Sequence, residues 1–266
     1  WDDTKSKISI AAAGKKAAAD VVEVDWSWVG EFQNAGWLEP LEVDEATQKD
    51  IPSISYFKVN NGIYAVPYAN GLRLAYINKE MLAKAGVTEF PKTWTEMEAV
   101  FDKLKESKVI EYPMLFPLNA EEKTTTSFLT LAYTRNNKIF NDDDTLNKES
   151  ALDILQLLRK YLDKGYINPA STSTPGIDVF RGINNAQGAF LIGPTSHITS
   201  TNDPKVSKVV GKITTIPAMA KDGPAKETIT FTEAVGISAY SKNKEAAKKF
   251  IEWFSRPETQ LKLNKA

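Results

Sequence analysis

The chain has 266 residues, 42% of them hydrophobic, with a net charge of -1 from 33 basic and 34 acidic side chains. That length and apolar share suit two lobes with sizeable cores, and the balanced charge offers no basic surface for nucleic acid. One histidine and no cysteine exclude thiol catalysis, disulfides and zinc–thiolate sites, and leave little for a histidine metal centre. No run approaches the roughly 20 apolar residues of a membrane span. Trp1-Asp2-Asp3-Thr4-Lys5 is not a charged leader followed by an apolar stretch, so the chain is mature, trimmed or cytoplasmic.

KISIAAAG, 7–14, alternates like a strand, while its alanines suit a helix. ADVVEVDW, 19–26, is a short, bounded β-branched run and predicts a strand. WVGEFQNAGW follows as one or two helical turns stopped by Gly36, with Trp37 closing the turn. A polar stretch punctuated by Pro40 and Pro52 leads to two strand-like runs, 63–68 and 72–77, split by Ala69-Asn70-Gly71. Thr93 and Glu96 form a capping box for a helix over 95–107. EYPMLFPL, 111–118, predicts a strand, and 150–166 a helix with Leu152, Leu155, Leu158 and Leu162 at helical spacing and Gly165 as its stop. AQGAFLIGP, 186–194, and TFTEAVGISAYS, 230–241, predict strands, and 242–265 an amphipathic helix broken near Arg256-Pro257. Strands alternating with helices indicate an α/β protein with mainly parallel sheets.

The phosphate-loop, dinucleotide and nucleophile-elbow patterns are all missing, and nothing calls for a cofactor or a metal. His197, in GPTSHITS, reads as a loop residue or ligand contact rather than a general base. Asp25, Glu31, Glu121, Glu122 and Glu233 lie near predicted loop ends, where a carboxylate pair could serve sugar cleavage or stay solvated. Trp26 and Trp28 share one face if they extend the strand. They are core fillers, or an indole platform for the C–H face of a pyranose with Asp25 taking its hydroxyls. Trp94 and Trp253 fall on helices as core residues. Asn70 and Arg73 in ANGLR offer planar polar groups, or a simple turn with an exposed arginine.

In order along the chain, ADVVEVDWSWVGEFQNAGWLEPL (19–41), GIYAVPYANGLRLAYINKEMLAKAG (62–86), PKTWTEMEAVFDKLK (91–105), GAFLIGPTSHI (188–198) and FTEAVGISAYSKNKEAAKKFIEWFSRPE (231–258) resemble the extracellular solute-binding proteins of ABC importers, family 1, the sugar-binding, maltose-binding-protein-like group. The resemblance implies a periplasmic-binding-protein-like α/β fold of type II, two α/β lobes with the ligand cleft between them and hinge closure. It places the first lobe at 1–70 plus 233–266 and the second at 71–232, with crossings near Tyr68–Arg73 and Thr232–Val235. Compared with the family, the first lobe is short at its N-terminus and the C-terminal helices are absent. After Gly193-Pro194 the family often carries an aromatic; Thr195, Ser196 and His197 stand here, so no stacking ring is expected from that loop.

The implied function is capture of a mono- or oligosaccharide, without chemistry, by an extracytoplasmic monomer that delivers it to a membrane permease. Its home is the periplasm, or the cell surface through a lipid on a leader cysteine outside this chain. The candidate ligand set is Asp25, Trp26, Trp28, Tyr68, Asn70, Arg73, Asn119, Thr195, His197, Thr232 and Glu233. The rivals are a carbohydrate-active enzyme with a carboxylate pair, a receptor of the same fold for a cationic ligand such as a polyamine, and a structural fragment that binds nothing.

Overall fold

A computed structural model of the chain describes residues 2–263. It opens with helix α1 (Asp2–Ala13), so the ambiguous alanine-rich start is helical. Strand β1 (Val21–Asp25), helix α2 (Val29–Asn34), strand β2 (Leu38–Glu39), helix α3 (Glu45–Asp50), a 3-10 segment (Pro52–Phe57) and the strands β3 (Lys58–Val59) and β4 (Gly62–Ile63) follow. Strand β5 (Val66–Asn78), helices α4 (Lys79–Lys84) and α5 (Trp94–Glu106), strand β6 (Met114–Leu115) and helices α6 (Glu122–Asn136), α7 (Lys148–Asp163) and α8 (Gly176–Arg181) come next, with a short 3-10 turn before α8. The chain then forms β7 (Phe190–Pro194), α9 (His197–Ser200), β8 (Ile213–Ile216), β9 (Thr230–Ser238), α10 (Lys244–Phe254) and α11 (Pro257–Leu263). The final predicted helical residues, 264 and 265, lie outside the described residues.

The chain forms two compact units. One takes the chain up to Gly71 and again from Thr230, and the other is Leu72–Ile229. In the first, β9 pairs antiparallel with both β1 and β2. One face of this pairing buries Val22, Val24, Ala234, Trp28, Val29 and Phe32. The opposite face sets Val21, Val235 and Ile237 against Ala247 and Ile251 of α10. Gly36, at φ +70, ends α2, and the Trp37 amide donates back to the Phe32 carbonyl with the two rings 5.5 Å apart. Asn60 and Asn61 both take positive φ in the two-residue β3–β4 hairpin, the geometry that matches the twist of paired strands.

In the second unit, β5 pairs antiparallel with β7 and β8 through its last residues, and β6 runs parallel to β7. Its core centres on aromatic rings. Phe101 lies 5.1 Å from Tyr166, 6.0 Å from Tyr161 and 5.9 Å from Phe190, and Trp94 lies 5.7 Å from Phe190. Each such pair adds about 0.5–1.5 kcal/mol beyond its burial. The capping box forms as the sequence implies: Thr93 Oγ1 accepts the Glu96 amide at 3.1 Å, and Glu96 Oε2 accepts the Lys92 amide at 2.6 Å.

Three expectations are corrected. The described pairings are antiparallel except β6–β7. Strand–helix alternation sets direction only where one crossover joins neighbouring strands, and β9 reaches β1 from the far end of the chain. Ala69-Asn70-Gly71 is not a turn but the middle of the 13-residue β5. Gly71 permits this, because a Cβ there would stand 3.1 Å from the Phe231 carbonyl oxygen. On α7 the buried stripe is Ile154, Leu157, Leu158 and Tyr161, while Leu152 and Leu155 are exposed. Trp253 is 47% exposed and not core, whereas Trp94 is fully buried.

Gly236 on β9 fixes the β1–β9 approach. A Cβ there would come 2.7 Å from the Tyr64 carbonyl oxygen and 3.0 Å from Val24 Cγ2. Gly236→Ala is expected to lower stability by about 1–3 kcal/mol, the usual cost of overpacking, read as an earlier urea midpoint.

Candidate functional site

In the first unit, the β1–β9 register brings four of the sequence candidates to one strand end. Asp25 lies directly opposite Glu233, and Glu23 opposite Val235. Successive side chains alternate, so Glu23, Asp25 and Glu233 share the sheet face that α10 covers. Tyr68 of β5 reaches the same face. Its hydroxyl is 2.9 Å from Glu23 Oε2 and 3.2 Å from Glu233 Oε2, and its ring stands edge-on to Phe254 at 5.8 Å.

The turn after β1 is built by Asp25. The backbone amide and hydroxyl of Ser27 both donate to its Oδ1, at 2.9 and 2.7 Å. Asp25 is only 2% exposed, so this carboxylate orders the turn. The Trp26 amide donates to the Thr232 carbonyl, and its half-buried indole tilts against Phe231 at 5.9 Å. The two tryptophans therefore part company. Trp26 is half-buried against the same core, while Trp28 is 3% exposed, packs on Phe32 at 5.8 Å and is a core residue. The polypeptide bends at Ser27, so the strand-face argument that joined the two rings does not hold. Thr232, almost fully buried, donates to the Asn70 side-chain oxygen at 2.9 Å, which occupies both residues with each other.

The second unit gathers Arg73, Thr195 and His197. Arg73 pairs with Pro194 across β5–β7, and its guanidinium lies over the Phe180 ring at 5.8 Å. Thr195 is exposed, and its carbonyl accepts the Ile198 amide at the start of α9. His197 is 6% exposed, edge-on to Tyr76 and Phe180, with Nδ1 3.2 Å from Ser200 Oγ. Burial, with the Arg73 charge adding to it, pushes its pKa down to about 4, so the ring is neutral at pH 7. Asn119 stands apart from this group. Its side-chain oxygen accepts the Ala120 amide, and its carbonyl accepts the Thr124 hydroxyl as α6 begins.

Of the remaining carboxylates weighed as an acid–base pair, Glu31 is ion-paired to Lys5 at 2.7 Å and Glu121 accepts the Gly176 amide at 2.7 Å. Sequence reasoning passed over Glu23, Phe231 and Phe254. The signal for Glu23 was present, since VVEVD places it two residues before Asp25 on the same strand face. Phe231 and Phe254 carried no local signal; pairing alone brings them here. Among the described residues no group of histidine and acidic side chains could hold a metal, and no helix is long and apolar enough to cross a membrane.

A family model described as bacterial extracellular solute-binding protein matches residues 1–261. The chain belongs to that family. It is 27% identical over 273 residues to a binding protein of Brucella abortus strain 2308, covering 99% of this chain and 64% of the relative. The chain thus spans 64% of the length of that curated relative. It is 25% identical over 238 residues to the maltotriose-binding protein of Pyrococcus abyssi, covering 86% of the chain and 49% of the relative. Among solved structures it resembles maltose-bound MalE3 of T. maritima, with a TM-score of 0.82 at 22% identity, covering 97% of this chain and 67% of the other. It also resembles an ABC transporter solute-binding protein of Thermotoga lettingae bound with α-D-tagatose, with a TM-score of 0.83 at 23% identity, covering 98% and 69%. The fold of this solute-binding protein is accordingly of the type II periplasmic-binding-protein kind, as the sequence resemblance implied. Membership of an extracellular family sets its place outside the cytoplasm.

Two predictions follow from the geometry. Trp28→Ala should cost about 3–5 kcal/mol by urea unfolding, as for a large aromatic removed from a core, and Trp26→Ala well under that. A histidine held at about 4 when folded and 6.5 when unfolded binds fewer protons in the folded state, so its contribution is lost as pH falls from 6.5 through 4. The melting temperature of wild type relative to His197→Gln should therefore fall across that window and stay level above it.

Proposed function

We propose that this chain is the substrate-binding receptor of an ABC importer, that it captures a carbohydrate and that it hands the sugar unchanged to a membrane permease. The observation that carries this reading is Trp26. Its indole is held by Phe231 on one side, is anchored through its amide to β9, and follows a turn locked by Asp25 at the carboxyl end of β1. The part of this half-buried indole that stays exposed is suited to the apolar C–H face of a sugar ring, and the strand end is where α/β folds collect ligands. Family membership supports the same reading, and so do solved structures of this fold whose bound ligands are maltose and tagatose. Glu233, Asn70 and Thr232 are polar groups beside that turn or along β5 and β9. Arg73, Thr195, His197 and Asn119, all in the second unit, stay in the proposed ligand set on the family resemblance alone. In this reading the protein acts as a monomer outside the cytoplasm and performs no chemistry.

A second reading draws on Glu23, Asp25 and Glu233 standing on one sheet face at the strand end that Trp26 continues. Carboxylates beside an indole suit a cationic ligand such as a polyamine.

A thermal-shift screen with mono- and oligosaccharides, polyols, polyamines and amino acids separates the two. A ligand at 100 times its dissociation constant adds about 2.7 kcal/mol of stability. The expected result is a raised melting temperature with one sugar class, loss of that shift in Trp26→Ala, and recovery of the sugar unaltered by chromatography. A shift with amines alone replaces this reading with the second, and conversion of the sugar replaces it with a carbohydrate-active enzyme.

A further inference from the structure

The Tyr68 hydroxyl has two oxygen neighbours, Glu23 Oε2 at 2.9 Å and Glu233 Oε2 at 3.2 Å. Both are hydrogen-bonding distances. A hydroxyl carries one proton, so it can donate to only one of the two at a time. Two ionised carboxylates would leave one of these contacts as bare oxygen against oxygen. A second proton resolves the conflict, and it must come from a carboxyl group.

The surroundings say which one. Glu23 Oε1 is sealed from solvent and has no hydrogen-bond partner. An ionised carboxylate with an oxygen in that state is strongly disfavoured, and protonation is the usual escape. Among the described residues the charges acting on Glu23 are of its own sign, Glu233 from β9 and Asp25 from β1. On the α10 side the ring of Phe254 stands against Tyr68 and offers no charge.

We propose that Glu23 carries a proton in the folded protein and that Glu23, Tyr68 and Glu233 form a proton-bearing chain, Glu23 donating to Tyr68 and Tyr68 donating to the Glu233 carboxylate, which fastens β1, β5 and β9 together and lets go when Glu23 ionises. The chain of bonds accounts for both distances with one proton per contact. Burial and the charges of Glu233 and Asp25 push Glu23 up from 4.5 to about 7. Burial and the two carboxylates push the Tyr68 pKa well up, so Tyr68 remains the donor to Glu233. The turn bearing Asp25 and Trp26 begins two residues beyond Glu23, so ionisation of Glu23 loosens the support of that turn. This lock does not depend on what the receptor binds.

The linkage has a definite sign. Glu23 binds more protons in the folded than in the unfolded state between 4.5 and about 7. Its stabilisation is complete below 4.5 and is lost as pH rises through about 7.

The test is a ligand-free titration of the whole chain, following glutamate side-chain carbons by NMR. One glutamate is expected to titrate near 7, and its signal should vanish in Glu23→Gln. Glu233→Gln removes a like charge and Tyr68→Phe removes the oxygen that accepts the Glu23 proton, so each should lower that midpoint. A tyrosine that merely fills space would leave it in place. The melting temperature of Glu23→Gln relative to wild type should climb as pH rises from about 5 to about 8, because only wild type loses its proton. A Glu23 midpoint at the ordinary carboxylate value, or a melting difference independent of pH, would overturn the lock. So would a midpoint that does not fall in Tyr68→Phe.

Discussion

The antiparallel pairing of β1 with β9 is the contact on which the first unit depends. It joins residues 21–25 to residues 233–237, so it closes a loop of more than 200 residues. Such closure costs chain entropy, though the cost grows only slowly with loop length. Two apolar faces offset it. Val22, Val24 and Ala234 bury on one side with α2 and its aromatics, and Val21, Val235 and Ile237 bury on the other against α10. Gly236 lets the strands approach, with the Tyr64 carbonyl occupying the space a side chain would need.

That register also determines the chemistry of the strand end. With side chains alternating, a slip of β1 by one residue would move Glu23 and Asp25 to the face opposite Glu233 and bring Val24 in their place. In the observed register three carboxyl groups and one phenol share a face, while Trp26 passes beyond the strand onto Phe231. Burial raises the affinity of Glu23 for a proton, and the like charges of Glu233 and Asp25 add to the effect. A buried histidine beneath the β7 loop of the second unit is shifted the other way by the same burial, since burial opposes whichever form is charged. Glu23 and His197 thus tie the two units to pH with opposite sign.

The shifted groups Glu23 and His197 serve strand pairing and packing. In the proposed receptor, the strand end offers a half-buried indole beside polar groups already hydrogen-bonded in place. Preorganisation of this kind lowers the ordering cost that a ligand must meet on binding.

The sequence by itself determined the family, the α/β character, the capping box at Thr93 and Glu96, and the strand that ends at Asp25. Each is written in local order: β-branched runs, helix caps, and a series of short motifs in fixed succession. It also named Tyr68 and Glu233, which meet at one hydroxyl, and Asn70 and Thr232, which bond to each other. The tertiary structure alone decided that Trp28 is core and Trp26 is not, because that depends on which way the chain bends at Ser27. It decided that Ala69-Asn70-Gly71 continues a strand, because the reason is the Phe231 carbonyl from far along the chain. It decided that Glu23 belongs with Glu233, because register across a pairing so distant in sequence leaves no mark on either segment. Local propensity fixes which elements form, while long-range pairing fixes which side chains share a face.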